Sequence, residues 1–154
     1  MINSNAMEGK KAPNFKLLNQ DGEVVSLADF KGKTVVLYFY PRADTPGCTV
    51  EACEFRDHHK EFGKGAVVLG VSPDQPAALK KFQKKFALPF DLLADPDKVA
   101  AKAYGAWGEK SMYGKKYMGI LRSTFVIGPD GKIAKVFGKV KPRGHAGEVL
   151  LAMP

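Results

Sequence analysis

The chain holds two cysteines, Cys48 and Cys53. A cysteine acts as a nucleophile through its thiolate, so the surroundings of each sulfur decide what it can do. Around Cys48 the sequence runs Tyr40-Pro41-Arg42-Ala43-Asp44-Thr45-Pro46-Gly47-Cys48-Thr49-Val50-Glu51-Ala52-Cys53. Pro41, Pro46 and Gly47 mark a loop. From Thr49 to Phe62 there are few breakers and many helix formers. Thr45 suits the N-cap and Pro46 the first helical position, where a missing N–H is harmless. Cys48 then falls in the first helical turn, where unpaired backbone N–H groups and the positive end of the helix dipole favour a thiolate. With a second thiol close by, the pair points to redox work more than to a structural staple.

Several elements must position this stretch. Thr34-Val35-Val36-Leu37-Tyr38-Phe39, directly before the loop, is β-branched and aromatic and reads as a buried strand. Ala66 to Ser72 is a second, nearly continuous apolar strand, as inside a parallel sheet. Upstream, Phe15-Lys16-Leu17 and Val24-Val25 flank the turn signal Asn19-Gln20-Asp21-Gly22 and predict an N-terminal hairpin. Ser26 to Gly32 reads as one short helical turn. Downstream, Ala77 to Phe86 is a helix with Leu79, Phe82 and Phe86 on one face. Pro89 to Leu93 is a short strand, and Asp95-Pro96-Asp97 caps a helix over Lys98–Tyr104. Gly105 to Gly119, with the single Trp107, reads as an irregular surface loop. Arg122–Ile127 and Lys132–Phe137 flank the turn Gly128-Pro129-Asp130-Gly131 as an antiparallel pair. His145–Ala152 is a short last helix, with Pro154 at the end. Strands alternate with helices and a hairpin closes the sheet, which makes the class α/β.

Composition narrows the function. The length of 154 residues and a hydrophobic content of 45% fit one soluble domain with a real core. Met1 to Ala6 fit nothing that follows and read as a cloning remnant, leaving residues 7–154 as a single domain. No secretory h-region opens the chain and no run approaches a membrane span, so a cytoplasmic protein without a membrane partner is expected. The net charge of +8 raises nucleic acid as a partner. However, the lysines are scattered, and Lys80, Lys81, Lys84 and Lys85 lie together on an amphipathic helix as a solvated face. No nucleic-acid partner is therefore expected.

The residues also resemble a family. Pro41-x-x-x-Thr45-x-x-Cys48 matches the active-site signature of peroxiredoxins, and Tyr-Pro-x-x-x-Thr-Pro-Gly-Cys-Thr-x-x-x-Cys is similar to the bacterioferritin comigratory protein, or peroxiredoxin Q, branch. The resemblance runs from about Lys11 to Val149. It implies a thioredoxin-like fold, a central mixed sheet flanked by helices, with an added N-terminal hairpin. It implies a peroxidase without cofactor or metal. Cys48 attacks hydrogen peroxide or an organic hydroperoxide and becomes a sulfenic acid, which condenses with a nearby thiol. Cys53 is then the resolving cysteine, and thioredoxin or a similar dithiol reductant reopens the intramolecular disulfide. Thr45 hydrogen-bonds the thiolate or a peroxide oxygen, Pro41 shields the thiolate from water, and Arg122 supplies the cation for the oxyanion. Glu51 either buttresses Arg122 or merely favours an early helix position. Members of this branch are often monomeric, and a monomer is expected.

Three rival readings compete. Cys48, Cys53, His58 and His59 could hold zinc, but zinc wants four converging ligands, and on a helix the two cysteines diverge by roughly 140°. A dithiol oxidoreductase needs Cys-x-x-Cys, whereas four residues intervene here. A non-enzymatic redox sensor or chaperone module would consume no peroxide. Helix geometry adds one expectation to the peroxidase reading. Five residues along a helix separate two Cα atoms by about 8–9 Å, with Cys53 expected toward the core. A disulfide needs Cα atoms within roughly 7 Å, so oxidation must unwind the segment from Pro46 to Phe55.

Overall fold

The structure, a computed structural model, describes residues 4–63 and 65–153. Met1–Asn3 of the presumed remnant, and Pro154, lie outside the described residues. Chain order gives β1 (Lys16–Asn19), β2 (Val24–Ser26), β3 (Thr34–Phe39), α1 (Pro46–Asp57), α2 (His59–Phe62), β4 (Ala66–Ser72) and α3 (Pro76–Phe86). It continues with β5 (Asp91–Ala94), α4 (Val99–Ala103), β6 (Trp107–Met112), β7 (Lys115–Ile120), β8 (Ser123–Ile127), β9 (Ile133–Phe137) and α5 (His145–Leu151). Seven strands form one mixed sheet in the order β2-β1-β5-β4-β3-β8-β9. The N-terminal hairpin extends this sheet, because β1 pairs antiparallel with β5. The class is α/β, as the alternation of elements predicts.

β3 is the organising strand. It runs parallel to β4 and antiparallel to β8, and all six of its residues are buried. Successive side chains point to opposite faces. Val35, Leu37 and Phe39 enter one core with Ala100, Ala101 and Tyr104. Val36 and Tyr38 enter the other, under α1, α3 and α5, with Phe55, Leu79 and Val149. Full burial of such side chains contributes roughly 1.5–3 kcal/mol each. A sheet apolar on both faces is why β3 reads as an unbroken run in the sequence.

Tyr38 sets the height of α1 above the sheet. Its ring stacks on Phe55 of α1 at 4.7 Å and on Tyr40 at 5.4 Å. Gly70, its cross-strand partner on β4, leaves the space it needs. A Cβ at Gly70 would lie 2.8 Å from the Tyr38 ring.

Two sequence expectations are corrected here. The helix expected to run unbroken to Phe62 stops at Asp57, since His58 takes φ −94° and ψ 6°, and a separate turn, α2, follows. Gly105 to Gly119 is no irregular loop: β6 and β7 pair from Trp107↔Ile120 to Met112↔Lys115. Tyr113 and Gly114 both have positive φ, 51° and 78°, as a tight two-residue hairpin turn requires. A Tyr-Gly turn between strands rich in lysine and poor in apolar alternation carries little sequence signal.

Candidate active site

Cys48 is the third residue of α1, after Pro46 and Gly47, with Thr45 at the N-cap position. The first helical hydrogen bond runs from Thr49 N–H to the Thr45 carbonyl at 2.8 Å. The N–H groups of Gly47 and Cys48 precede it and remain among the helix's free donors. The Thr45 hydroxyl does not cap them. It donates to the Arg42 carbonyl at 2.9 Å and so closes the loop on itself. Its backbone angles are those of a cap while its side chain serves the turn.

The loop before α1 is held from two sides. Asp74 accepts from the Ala43 N–H and from the Ser72 hydroxyl, each at 2.8 Å. Lys85 of α3 pairs with Asp44, a residue in the left-handed region at φ 60°. Pro41 sits half-buried where β3 ends.

Arg122, immediately before β8, reaches across to α1. Its Nη2 donates to Cys48 Sγ at 3.2 Å and its Nη1 to Glu51 Oε1 at 2.7 Å. Gly47 explains how the guanidinium passes: a Cβ there would lie 3.3 Å from Arg122 Nη2 and 3.4 Å from Pro142. Burial disfavours the Arg122 charge, but the neighbouring Glu51 and Cys48 outweigh it and its pKa rises. Glu51 is fully buried, and desolvation pushes its carboxyl up to about 7 against the pull of Arg122. Glu51 Oε2 has no hydrogen-bond partner among the described residues. Of the two readings open for Glu51, the structure realises the buttress.

Cys48, Glu51, Ala52 and Phe55 form the buried stripe of α1, at the spacing of one helical face. Cys53 is only partly buried, which corrects the expectation that it points to the core. It lies beside that stripe, one position past Ala52. Both thiols are free and sit on the same unbroken helix. Among the described residues no group of three or more His, Cys, Asp and Glu converges as a metal site would. His58 instead meets Glu61 at 2.9 Å.

No local pattern of residues marks the clamp that holds α1 from its far side. The Glu54 carboxylate accepts from Gly144 N–H at 2.8 Å, at the start of α5. His145, buried, shares a hydrogen bond with Thr124 of β8 at 2.7 Å and meets the edges of Phe55 and Phe137. Desolvation lowers the pKa of His145 although Glu148 opposes it. His145 stands where a helix begins after Gly144, and nothing in the spacing of a lone histidine marks it as buried.

The match with known proteins spans the same elements. The AhpC/TSA family pattern covers residues 8–136. Peroxiredoxin Bcp of Bacillus subtilis is 50% identical over 143 residues, covering 92% of this chain and 91% of its own. Peroxiredoxin Bcp of Escherichia coli K12 is also 50% identical, covering 92% of each. Among solved structures, the bacterioferritin comigratory protein of Xanthomonas campestris, described for alkyl peroxide reduction, superposes with a TM-score of 0.85. Its identity is 39%, over 90% of this chain and 88% of that one. Peroxidoxin BcpB of Mycobacterium tuberculosis superposes at 0.84, with 35% identity over 95% of each chain. A thiol at a helix N-terminus, a guanidinium on its sulfur and these relatives lead to one conclusion: the chain belongs to the AhpC/TSA family and is a peroxiredoxin, a cysteine-dependent peroxidase, of the bacterioferritin comigratory protein or Q branch.

Proposed function

We infer that Cys48 is the peroxidatic nucleophile for hydrogen peroxide and organic hydroperoxides, and Cys53 its resolving partner. The observation that carries this is the Arg122 bridge, 3.2 Å to Cys48 Sγ and 2.7 Å to Glu51. In the first step the Cys48 thiolate attacks the terminal oxygen of the hydroperoxide and the O–O bond breaks. The sulfur keeps that oxygen as a sulfenic acid, and the departing alkoxide or hydroxide takes a proton to become alcohol or water. Arg122 stabilises negative charge on both sides of that step, first on sulfur and then on the leaving oxygen. Glu51 keeps the guanidinium oriented. Thr45, with its proton committed to Arg42, has oxygen lone pairs left to accept from the peroxide O–H. Pro41 limits water at the sulfur.

In the second step the Cys53 thiol condenses with the sulfenic acid, releasing water and forming the Cys48–Cys53 disulfide. This requires α1 to unwind. Cys48 is only 1% exposed, which also keeps it from a protein reductant while the helix is intact. Unwinding therefore serves both resolution and recycling. A dithiol protein such as thioredoxin then restores both thiols.

The protein works in the cytoplasm, where such reductants are held reduced, as a monomer, without cofactor, metal or nucleic acid. No helix among the described residues is long and apolar enough to cross a membrane. The domain runs over residues 7–154, and Met7 already packs into the core. Stopped-flow consumption of hydrogen peroxide and of an alkyl hydroperoxide, with thioredoxin as electron donor, tests the whole cycle. Saturable turnover of both is expected. Turnover of insulin disulfides without peroxide consumption would replace this reading with an oxidoreductase.

A further inference from the structure

The chain between β9 and α5 is fixed twice on the sheet and faces α1 in between. Lys139 takes φ 50° and Gly144 φ 82°, so the segment bends at each end. Val140 N–H donates to the Arg122 carbonyl at 3.1 Å. At the other end His145 shares its hydrogen bond with Thr124 at 2.7 Å. Arg122 and Thr124 stand two residues apart, one just before β8 and one within it. A single strand thus carries both anchors.

The contacts with α1 lie between and beside those anchors. Pro142 packs against the helix start: a Cβ on Gly47 would lie 3.4 Å from its ring. Gly144 N–H donates to the Glu54 carboxylate at 2.8 Å. The His145 ring meets Phe55 in a T-shaped contact, with centroids 5.9 Å apart. Gly47 and Glu54 are about two helical turns apart and bracket both Cys48 and Cys53. The segment therefore braces the stretch of α1 that must unwind. Glu148 meets the other ring nitrogen of His145 at 3.0 Å, so the imidazole is oriented from two sides. Thr124 and His145 are 0% and 1% exposed, so neither has water to replace a lost partner.

We propose that Thr124 and His145 are positioning residues for the resolving step: through the segment 140–145 they hold α1 wound, and the strength of that hold sets how fast the Cys48–Cys53 disulfide forms. The inference rests on the peroxidase reading of Cys48 and on Cys53 as its partner. Peroxide attacks Cys48 in the wound helix. The Cys53 thiol displaces the sulfenic hydroxyl, released as water, only in the unwound one. A weaker hold raises the unwound fraction. While the wound form stays in the majority, oxidation keeps its rate and resolution speeds up in proportion.

The test follows sulfenic acid and disulfide separately, by rapid mixing with peroxide, acid quench, thiol alkylation and mass spectrometry. Thr124→Val keeps the shape of the side chain and removes the hydroxyl. Resolution should speed up about three- to tenfold, the range for losing one hydrogen bond, with oxidation of Cys48 within about twofold of the parent. Thr124→Ser returns the hydroxyl and should return resolution to the parent rate, which a packing effect alone would not do. Glu54→Met breaks the hold from the helix side at nearly equal helix propensity. It should speed resolution in the same way, so the proposal does not hang on the folding of Thr124→Val. Unchanged or slower resolution in either variant, or no return in Thr124→Ser, overturns the proposal and leaves the peroxidase intact. A parent that consumes peroxide but forms no Cys48–Cys53 disulfide would instead remove the resolving role of Cys53, and this proposal with it.

Discussion

Arg122 donates through Nη2 to Cys48 Sγ at 3.2 Å, although the two residues belong to different elements, one preceding β8 and one in the first turn of α1. The cation is thus delivered from the sheet, while the helix supplies the thiol and its own free N–H groups. Glu51, one helical turn past Cys48, holds the other arm of the guanidinium at 2.7 Å. The three groups make a line from a buried carboxyl, through a planar fork, to sulfur.

Removing the fork should affect chemistry more than folding. Arg122→Met is expected to slow peroxide reduction by about 10²–10³, the usual effect of losing one preorganised oxyanion donor. Arg122→Lys should recover only part, because a point charge cannot serve sulfur and carboxylate at once. Single-turnover stopped-flow rates decide this. A rate for Arg122→Met within threefold of the parent would return Arg122 to a structural role.

Glu51 should leave a mark on stability as a function of pH. Its pKa rises from 4.5 to about 7 on folding, so between those values the native state binds more protons than the unfolded chain. Stability from this group is therefore fully present below about pH 4.5 and is lost as pH rises through 7. His145 works in the opposite direction: its pKa is lowered from 6.5, so its contribution is lost as pH falls. Glu51→Gln removes the first effect and leaves the second. The stability of Glu51→Gln relative to the parent should therefore climb with pH up to about 7 and then level off. Urea midpoints across that range measure it, and a flat difference would contradict a raised Glu51 pKa.

Much of this was legible in the residues. Cys48 could be placed in a first helical turn because Thr45, Pro46 and Gly47 are each suited to a helix start, and β3 was plain because both its faces are buried. The likeness to peroxiredoxins supplied Arg122, which no local pattern marks. What stayed hidden depends on contacts distant in sequence. The Glu54–Gly144 and Thr124–His145 bonds, which clamp α1 and α5, join residues with no local signature. The β6–β7 hairpin was missed because its turn is Tyr113-Gly114 and its strands are mostly exposed, so neither turn chemistry nor alternation identified it. Cys53 was misplaced by a neighbouring residue: the buried stripe passes through Ala52, leaving Cys53 at its margin.

The two cysteines should separate cleanly by variant. Cys48→Ser is expected to lose peroxidase activity, by 10³-fold or more on the order expected for deleting a nucleophile, with the fold kept. Cys53→Ser should reduce about one equivalent of peroxide and stop as a sulfenic acid, which dimedone traps and mass spectrometry weighs. Full thioredoxin-dependent cycling by Cys53→Ser would show a resolving route that bypasses this thiol.

Catalysis is expected to alternate between an intact and an unwound α1. In the reduced protein Cys48 and Cys53 share one helix, which sets their Cα atoms about 8–9 Å apart, beyond disulfide reach. Breaking that helix also pulls on Phe55, stacked at 4.7 Å on Tyr38, and on Glu54, bonded to Gly144. Amide hydrogen exchange across residues 46–55, compared between the reduced and peroxide-oxidised protein, tests this most directly. Strong protection in the reduced form and its loss on oxidation, regained after thioredoxin treatment, is the predicted result. Equal protection in both forms would mean that α1 stays whole, and the Cys48–Cys53 disulfide would have to be abandoned.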